Sequence, residues 1–418
     1  MPLTQQSLTE LILDAKKKAY EEIGQVDAPQ PPKQVDWPVT CEVKPGLEGA
    51  VAAGTEVGFV DGVRGALVYR GYDIFDLCAH STFEEVSYLL INGQLPTQAE
   101  LEKFTGELRS RMAILQPTRQ MFDVLPVKAL HPMKMLEAAM IGAHAEDATD
   151  GNGGEIEWDD AAWRVIAQMM TATGMVARMR AGQPLVEPDP ELSHAANLLY
   201  TMTGERPDEI ATRLMDIALI LHADHGMNAS TFTSMVVTST LSDLYFAMSG
   251  GLGSLKGPLH GGANEAVLYD LQEIGSADNV EPWFEEARRN KRKIMGMGHR
   301  VYKAYDPRAR VLKPLAEAYS RDNAKVSGLL ETAEKLEKVA LEAMGREKKI
   351  FPNVDFYSGL LYKAMGIETA MFTPIFAVSR VSGWVARCQE YRENNRIFRP
   401  RGIYTGKIDL QYKPIGER

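Results

Sequence analysis

PDEIATRLMDIALILHADHGMNAS, residues 207–230, reads as a helix that ends in a polar cluster. Pro207 suits a first helical position, where its missing N–H is no loss. Asp208 and Glu209 lie near the positive end of the helix. Ile210, Leu214, Ile217, Ala218 and Leu221 recur at spacings of three and four, which is one face of a 3.6-residue helix.

The same periodicity recurs elsewhere. Leu8, Leu11, Ile12, Ala15 and Ala19 form a stripe behind Ser7 and Glu10, which have capping-box spacing, with Gly24 as the stop. Ser81 and Glu84 repeat that spacing ahead of Val86, Leu89 and Leu90. From about Leu329 to Met344, Leu329, Ala333, Leu336 and Ala340 share a face. Glu331–Lys335 and Glu334–Lys338 support it at i,i+4, and Gly345 closes it. Residues 25–40 hold four prolines and read as an extended connector. Between Cys41 and Tyr72, short segments flank Asp61-Gly62 and the Ala66–Tyr69 run follows, a pattern that predicts a β-hairpin with a tight turn. The expected fold is mainly α, with this small hairpin near the N-terminus.

The chain has 418 residues and a formal net charge of -10, which argues against a broad nucleic-acid-binding surface. An acidic protein holds a polyanion only by clustering its cations locally. Three cysteines, Cys41, Cys78 and Cys388, without CxxC spacing indicate neither a disulfide framework nor a zinc site, and fit a reducing compartment. No run of 18 apolar residues is present, so no membrane span is expected. The acidic N-terminal segment resembles neither a signal nor a transit peptide, and a cytoplasmic location is expected.

Five segments carry the chemistry. In LHADHGMN (221–228), His222 and His225 are three apart and share a helical face. They read either as ligands, with Asp224 as a third metal donor, or as groups satisfying a helix end. In GPLHGGANE (257–265), glycines let backbone approach a ligand. His260 precedes a helix start, whose positive dipole keeps the imidazole neutral and fit to donate one hydrogen bond. The alternative is a glycine-rich turn with an incidental histidine. GMGHRVYKAYDPR (296–308) gathers His299, Arg300, Lys303 and Arg308, either a carboxylate-binding loop or a solvated basic one. In FPNVDFYSG (351–359), Asp355 lies among apolar neighbours that would raise its pKa and basicity, or it is an N-cap. Towards the C-terminus come Arg380, Arg387, Arg392, Arg396, Arg399 and Arg401. Such a run usually marks a solvated face, but Arg380 follows an apolar stretch, and a buried arginine needs an anionic partner.

These segments resemble the citrate synthase family. GPLHGGANEAV, GMGHRVYKAYDPR, PNVDFYSG and VSR…FRPRGIYTG carry the resemblance, and KPGLEG, YRGYDI, STFEEVSYLLINGQLP, LHPM and HADHGMNAS match it too. Together they run from about Val43 to Gly406. The family often has an aromatic residue where this chain has Met297, a comparable apolar filler. The resemblance implies a helical dimer, or a higher homo-oligomer, with a cleft between two domains. Residues 1–42 would form an N-terminal helix and connector, and 43–261 the first part of a large helical domain. Residues 262–365 would form a small domain. Residues 366–418 would return to the large one and send an arm to the partner subunit.

The resemblance also implies roles. Acetyl-CoA and oxaloacetate would be substrates. His260 would hold the thioester carbonyl, Asp355 would remove the methyl proton and His299 would polarise the oxaloacetate carbonyl. His225, Arg308, Arg380 and Arg399 would bind oxaloacetate, with Arg399 serving the neighbouring subunit. Lys303, Lys348 and Lys349 are candidates for the CoA phosphates. The chemistry requires no metal or separate cofactor. Three other readings are a 2-methylcitrate synthase using propionyl-CoA, a non-catalytic helical scaffold, and a metallohydrolase on His222, His225 and Asp224.

Overall fold

A computed structural model describes residues 3–23, 45–47, 49–148, 158–321, 323–345, 348–400, 413 and 415–417. The proline-rich connector, Gly24 and most of the C-terminal arm lie outside them.

Helices dominate: α1 (Gln5–Ile23), α2 (Ile74–His80), α3 (Phe83–Asn92), α4 (Gln98–Ser110), α5 (Gln116–Val124), α6 (Pro132–Ala148), α7 (Trp158–Ala181), α8 (His194–Thr203) and α9 (Glu209–His222) come first. Then follow α10 (Ala229–Ser239), α11 (Leu244–Leu255), α12 (Ala263–Ile274), α13 (Val280–Arg289), α14 (Pro307–Ser320), α15 (Ser327–Ala340), α16 (Val354–Ala364) and α17 (Phe372–Glu393). None is long and apolar enough to cross a membrane.

α17 is buried on every side from Phe372 to Cys388, its apolar residues interrupted by Arg380 and Arg387, and α3, α7, α9, α10 and α11 pack around it. A second group, α12 to α16, packs mainly on itself, α14 and α12 each against α16 and α13 against α15. α1 lies along α14 and α2.

The sheet is the expected hairpin plus one short strand. β1 (Gly58–Asp61) pairs antiparallel with β2 (Ala66–Tyr69), and β2 with β3 (Tyr72–Asp73). The turn spans four residues, 62–65. Asp61 Oδ1 accepts the N–H groups of Val63 and Arg64, each at 2.9 Å, and Gly65 takes φ +69°.

Several helix starts differ from the sequence reading by a few residues. Thr4, not Ser7, begins α1: its hydroxyl accepts the Ser7 N–H and the Ser7 hydroxyl accepts the Thr4 N–H. Thr82, not Ser81, caps α3 by accepting the Glu85 N–H. Asp208 is itself the cap of α9, so Pro207 stands outside the helix. Each displaced reading had a neighbouring hydroxyl or carboxylate of equal capping ability. α15 ends at Ala340 and runs into a π turn at Leu341–Gly345. Its charges pair across helices rather than along it, Lys335 with Glu281 and Glu334 with Arg321.

Candidate active site

The first histidine sits in the turn between α11 and α12. The His260 N–H is bonded to Gly257 O and the Gly261 N–H to Leu255 O, both at 2.9 Å. A Cβ at residue 261 would lie 2.6 Å from the Leu255 side chain, so only glycine permits this fold-back. Ser230 holds the ring: its N–H approaches His260 Nε2 at 3.3 Å and its hydroxyl lies 2.8 Å away. Trp384 Nε1–H and Asn228 Oδ1 fix that hydroxyl in turn. A backbone N–H can only donate, so Nε2 is the acceptor and the ring proton belongs on Nδ1. The expected neutrality holds, but for a different reason. Burial, helped by the charge of Arg380, pulls the His260 pKa down to about 3.

The second histidine follows two glycines with positive φ, Gly296 (+72°) and Gly298 (+83°). His299 Nδ1 accepts the N–H of Val301 at 3.0 Å and of Tyr302 at 3.2 Å. The neutral ring therefore carries its proton on Nε2, which is free to donate. Burial and the charges of Arg308 and Lys303 lower its pKa to about 4, against the opposing pull of Asp306. Met297 is buried and forms an isolated backbone bridge with Pro352.

α9 ends at His222, so His222 and His225 do not share a helical face. His222 turns inward: its Nδ1 lies 2.7 Å from Ala218 O and its ring packs edge-on against Phe376. His225 Nε2 lies 3.1 Å from the hydroxyl of Tyr302. The His225, His299 and Tyr302 rings form one cluster, with centroids 4.9–5.3 Å apart. Burial and the surrounding arginines keep His225 well below its usual pKa. Asp224 is held by both arms of Arg387, at 3.1 and 2.7 Å. The metal triad therefore does not assemble. Among the described residues, no three His, Cys, Asp or Glu side chains group as metal ligands.

Asp355 lies in the first turn of α16, and the cap of that helix is Asn353, whose Oδ1 accepts the Asp355 N–H at 3.0 Å. The Asp355 carboxyl is thereby released from capping. Its Oδ1 is buried without a hydrogen-bond partner among the described residues. Burial raises its pKa to about 7, although Arg308 and Arg380 favour the charge.

The two buried arginines differ. Arg308 forms a fork with Asp306, at 3.0 and 2.7 Å; burial works against its charge, but Asp306 outweighs that and raises the pKa. Arg380 pairs with no carboxylate among the described residues. Its Nε donates to His222 O at 2.7 Å, it stacks over Phe376 at 4.7 Å, and its Nη1 has no partner among the described residues. Burial lowers its pKa to about 10. Both arginines act electrostatically on His225 and Asp355, so the side chains singled out in five separate segments occupy one electrostatic neighbourhood.

The remaining candidates lie at the surface. Arg399 is exposed and donates to Pro400 O, so the fold of this chain does not bring it to the cluster. Arg401 lies outside the described residues. Lys303, Lys348 and Lys349 are exposed. Sequence reading missed Ser230, Asn353 and Tyr302, and it set Arg387 in a run read as a solvated face, whereas Arg387 is buried against Asp224. Tyr302 alone left a signal, at i+3 from His299 in the same motif.

A cavity of about 300 Å³ opens elsewhere, between α1, the α2–α3 junction and α9. Its two acids are already engaged: Asp216 accepts the Phe83 N–H and Arg213, and Glu84 accepts the His194 N–H. They seat the starts of α3 and α8.

A family model described as citrate synthase, C-terminal domain, matches residues 46–401. The citrate synthase of Acidithiobacillus ferridurans is 44% identical over 382 residues, 90% of this chain and 98% of that protein. That of Deinococcus radiodurans is 45% identical over 378 residues, 89% and 98% of the two. Among solved structures, citrate synthase from Thermotoga maritima superposes with a TM-score of 0.81 at 40% identity, covering 90% of this chain and 99% of that one. Citrate synthase from Thermoplasma acidophilum, in a ternary complex with carboxymethyl coenzyme A and oxaloacetate, gives 0.84 at 37%, covering 91% and 100%.

Proposed function

The chain belongs to the citrate synthase family, and we propose that it runs the family's reaction through His260, Asp355 and His299. That reaction condenses acetyl-CoA with oxaloacetate and hydrolyses citryl-CoA to citrate and CoA. The observation that carries the residue assignment is Arg380, a buried guanidinium whose Nη1 has no partner among the described residues and whose charge acts on the His260 and His225 rings and on Asp355, a carboxyl of raised pKa. A buried cation lacking an acid of its own is suited to an anionic substrate.

The hard step is taking a proton from a thioester methyl group. Asp355, desolvated and hence more basic, accepts it. The electron pair moves onto the thioester oxygen, where His260 Nδ1–H meets the developing charge without being acidic enough to quench it. The nucleophilic carbon then attacks the ketone carbon of oxaloacetate, and His299 Nε2–H donates to the ketone oxygen. Arg380, Arg308 and His225 hold the diacid's carboxylates. Water finally cleaves citryl-CoA at the thioester carbonyl and releases the CoA thiol. Water must be kept out of the first step and admitted to the last, which is the work of closing one domain on another. We assign the moving domain to residues 262–365.

Arg399 completes the partner's pocket in a homodimer, and Lys303, Lys348 and Lys349 meet the CoA phosphates. A cytoplasmic enzyme fits the composition. The relatives named above are citrate synthases, and no observation favours propionyl-CoA.

The test is thiol release from acetyl-CoA, with and without oxaloacetate, in the presence of a chelator. Release that depends on oxaloacetate and is indifferent to the chelator is expected. Oxaloacetate-independent release, or none, refutes the reading.

A further inference from the structure

The hairpin turn carries a glycine that its own geometry does not require. Of the two glycines in the turn, Gly65 has positive φ and Gly62 does not, so any residue could adopt the backbone at 62. What excludes a side chain there is a neighbour nearly 240 residues along the chain. A Cβ on residue 62 would lie 2.3 Å from Val301 O and 2.9 Å from Val301 C. Real Cβ contacts do not come this close, and the obstacle is backbone. Gly62 O in turn accepts the Lys303 N–H at 2.7 Å. A Cβ on Gly65 would lie 2.8 Å from Tyr305 O. The turn is thus seated directly on the main chain of the loop that presents His299 and Tyr302.

The other end of the hairpin is fastened to the segment that carries His225. The Tyr69 hydroxyl donates to Asp224 O at 2.8 Å and accepts the Asp224 N–H at 3.1 Å. Arg387 ties Gly58 O to Asp224. The hairpin therefore joins the two segments whose side chains meet in the His225–Tyr302 hydrogen bond.

We propose that Gly62 is a positioning residue for the condensation, acting through Val301 and Lys303 to hold His299 and Tyr302 over His225. The inference rests on the assignment of these histidines to the oxaloacetate pocket. A side chain at 62 would lift the loop by about the amount of the overlap, and displacements near 1 Å at a reacting centre lower rates or affinity by about a hundredfold.

The experiment compares Gly62→Ala with Val63→Ala in the full chain; Val63 is 82% exposed on the same turn. Expected for Gly62→Ala is a rise in KM for oxaloacetate of about tenfold or more, with KM for acetyl-CoA at saturating oxaloacetate changed less than about threefold. The amide of Lys303 should also lose protection from hydrogen exchange. Val63→Ala should match the wild type. An unchanged KM for oxaloacetate in folded Gly62→Ala overturns the proposal, as does a loss of kcat and thermal stability without that KM change. Should Gly62→Ala fail to fold, exchange on the wild type decides: oxaloacetate must protect the Lys303 and His225 segments together, and independent protection refutes the link. If the wild type shows no oxaloacetate-dependent thiol release, the pocket assignment itself is wrong, whereas an active wild type with an indifferent Gly62→Ala sinks the positioning role alone.

Discussion

The side-chain amide of Asn353 donates to Gly298 O at 2.8 Å, while its own backbone N–H is bonded to Gly296 O at 2.9 Å. Because the same residue caps the helix that begins with Val354 and Asp355, it clamps the proposed base to the glycine loop in front of His299. Asn353→Ser should keep the cap but release the Gly298 clamp. The expected result is a fall in kcat of about tenfold with little change in the denaturation midpoint. Asn353→Ala should lose the cap as well, a further cost of about 1 kcal/mol. Steady-state kinetics and chemical denaturation of the two variants separate clamp from cap. A kcat for Asn353→Ser equal to that of the wild type would refute the clamp.

Asp355 must be ionised to accept a proton, and its pKa is raised to about 7. kcat/KM for acetyl-CoA should therefore rise with pH through about 7 and level off above it. The native state holds this proton more tightly than the unfolded chain, so keeping Asp355 destabilises the fold increasingly between the unfolded pKa, near 4, and about 7. Asp355→Asn should lower kcat at least ~100-fold. It should also be more stable than the wild type by up to about 4 kcal/mol above pH 7, and the advantage should shrink towards pH 4. His260→Ala should lower kcat comparably, because it removes the donor to the developing oxyanion. A pH-independent rate between 5.5 and 8, or near-normal kcat in either variant, contradicts these roles.

Burial disfavours the charged form of Arg380, so its positive charge is held at a cost to the fold. Arg380→Met should raise KM for oxaloacetate about a hundredfold, the scale of a charge-assisted hydrogen bond. It should also leave the melting temperature equal or higher, since no carboxylate of the described chain loses a partner. A destabilised variant with normal KM would make Arg380 structural.

His194 is fully buried, packs against Phe83 at 5.1 Å, and neither ring nitrogen has a partner among the described residues. Burial lowers its pKa to about 3. As pH falls below 6.5 the unfolded chain takes up a proton that the native state refuses, and stability drops by about 1.4 kcal/mol per pH unit until about pH 3. His194→Leu should remove that slope, gaining about 2 kcal/mol over the wild type at pH 5 relative to the difference at pH 7.5. Denaturant titrations at the two pH values measure it; parallel curves would refute the assignment.

The helical class, the hairpin and most segments of the candidate site were legible because they depend on local pattern. Leu214, Ile217 and Leu221 announce α9 by spacing alone, and Ala66–Tyr69 announces β2. Helix starts were legible only to within a few residues, since Thr82 and Ser81 cap equally well and tertiary fit chooses between them. The face shared by His222 and His225 failed because α9 stops at His222. What stayed hidden depends on chain-distant contacts. Ser230 meets His260 across 30 residues, Asp224 meets Arg387 across 163, and nothing in either local pattern names its partner. Asp355 reads in sequence as a base or a cap, and the neighbouring Asn353 takes the cap, which leaves the Asp355 carboxyl free for the proposed role.

Gly383 in α17 lies so close to the end of α9 that a Cβ there would fall 2.2 Å from Ala223 O. One turn earlier on α17, Arg380 is bonded to His222 O. Arg380 and the segment leading to His225 are therefore spaced by main chain resting on main chain. That spacing works as a ruler that any side chain at residue 383 would lengthen. If Arg380 and His225 hold the diacid as proposed, a longer or shorter one would need the two helices reseated, so selection for a new chain length should fall on helix packing before it reaches those two side chains.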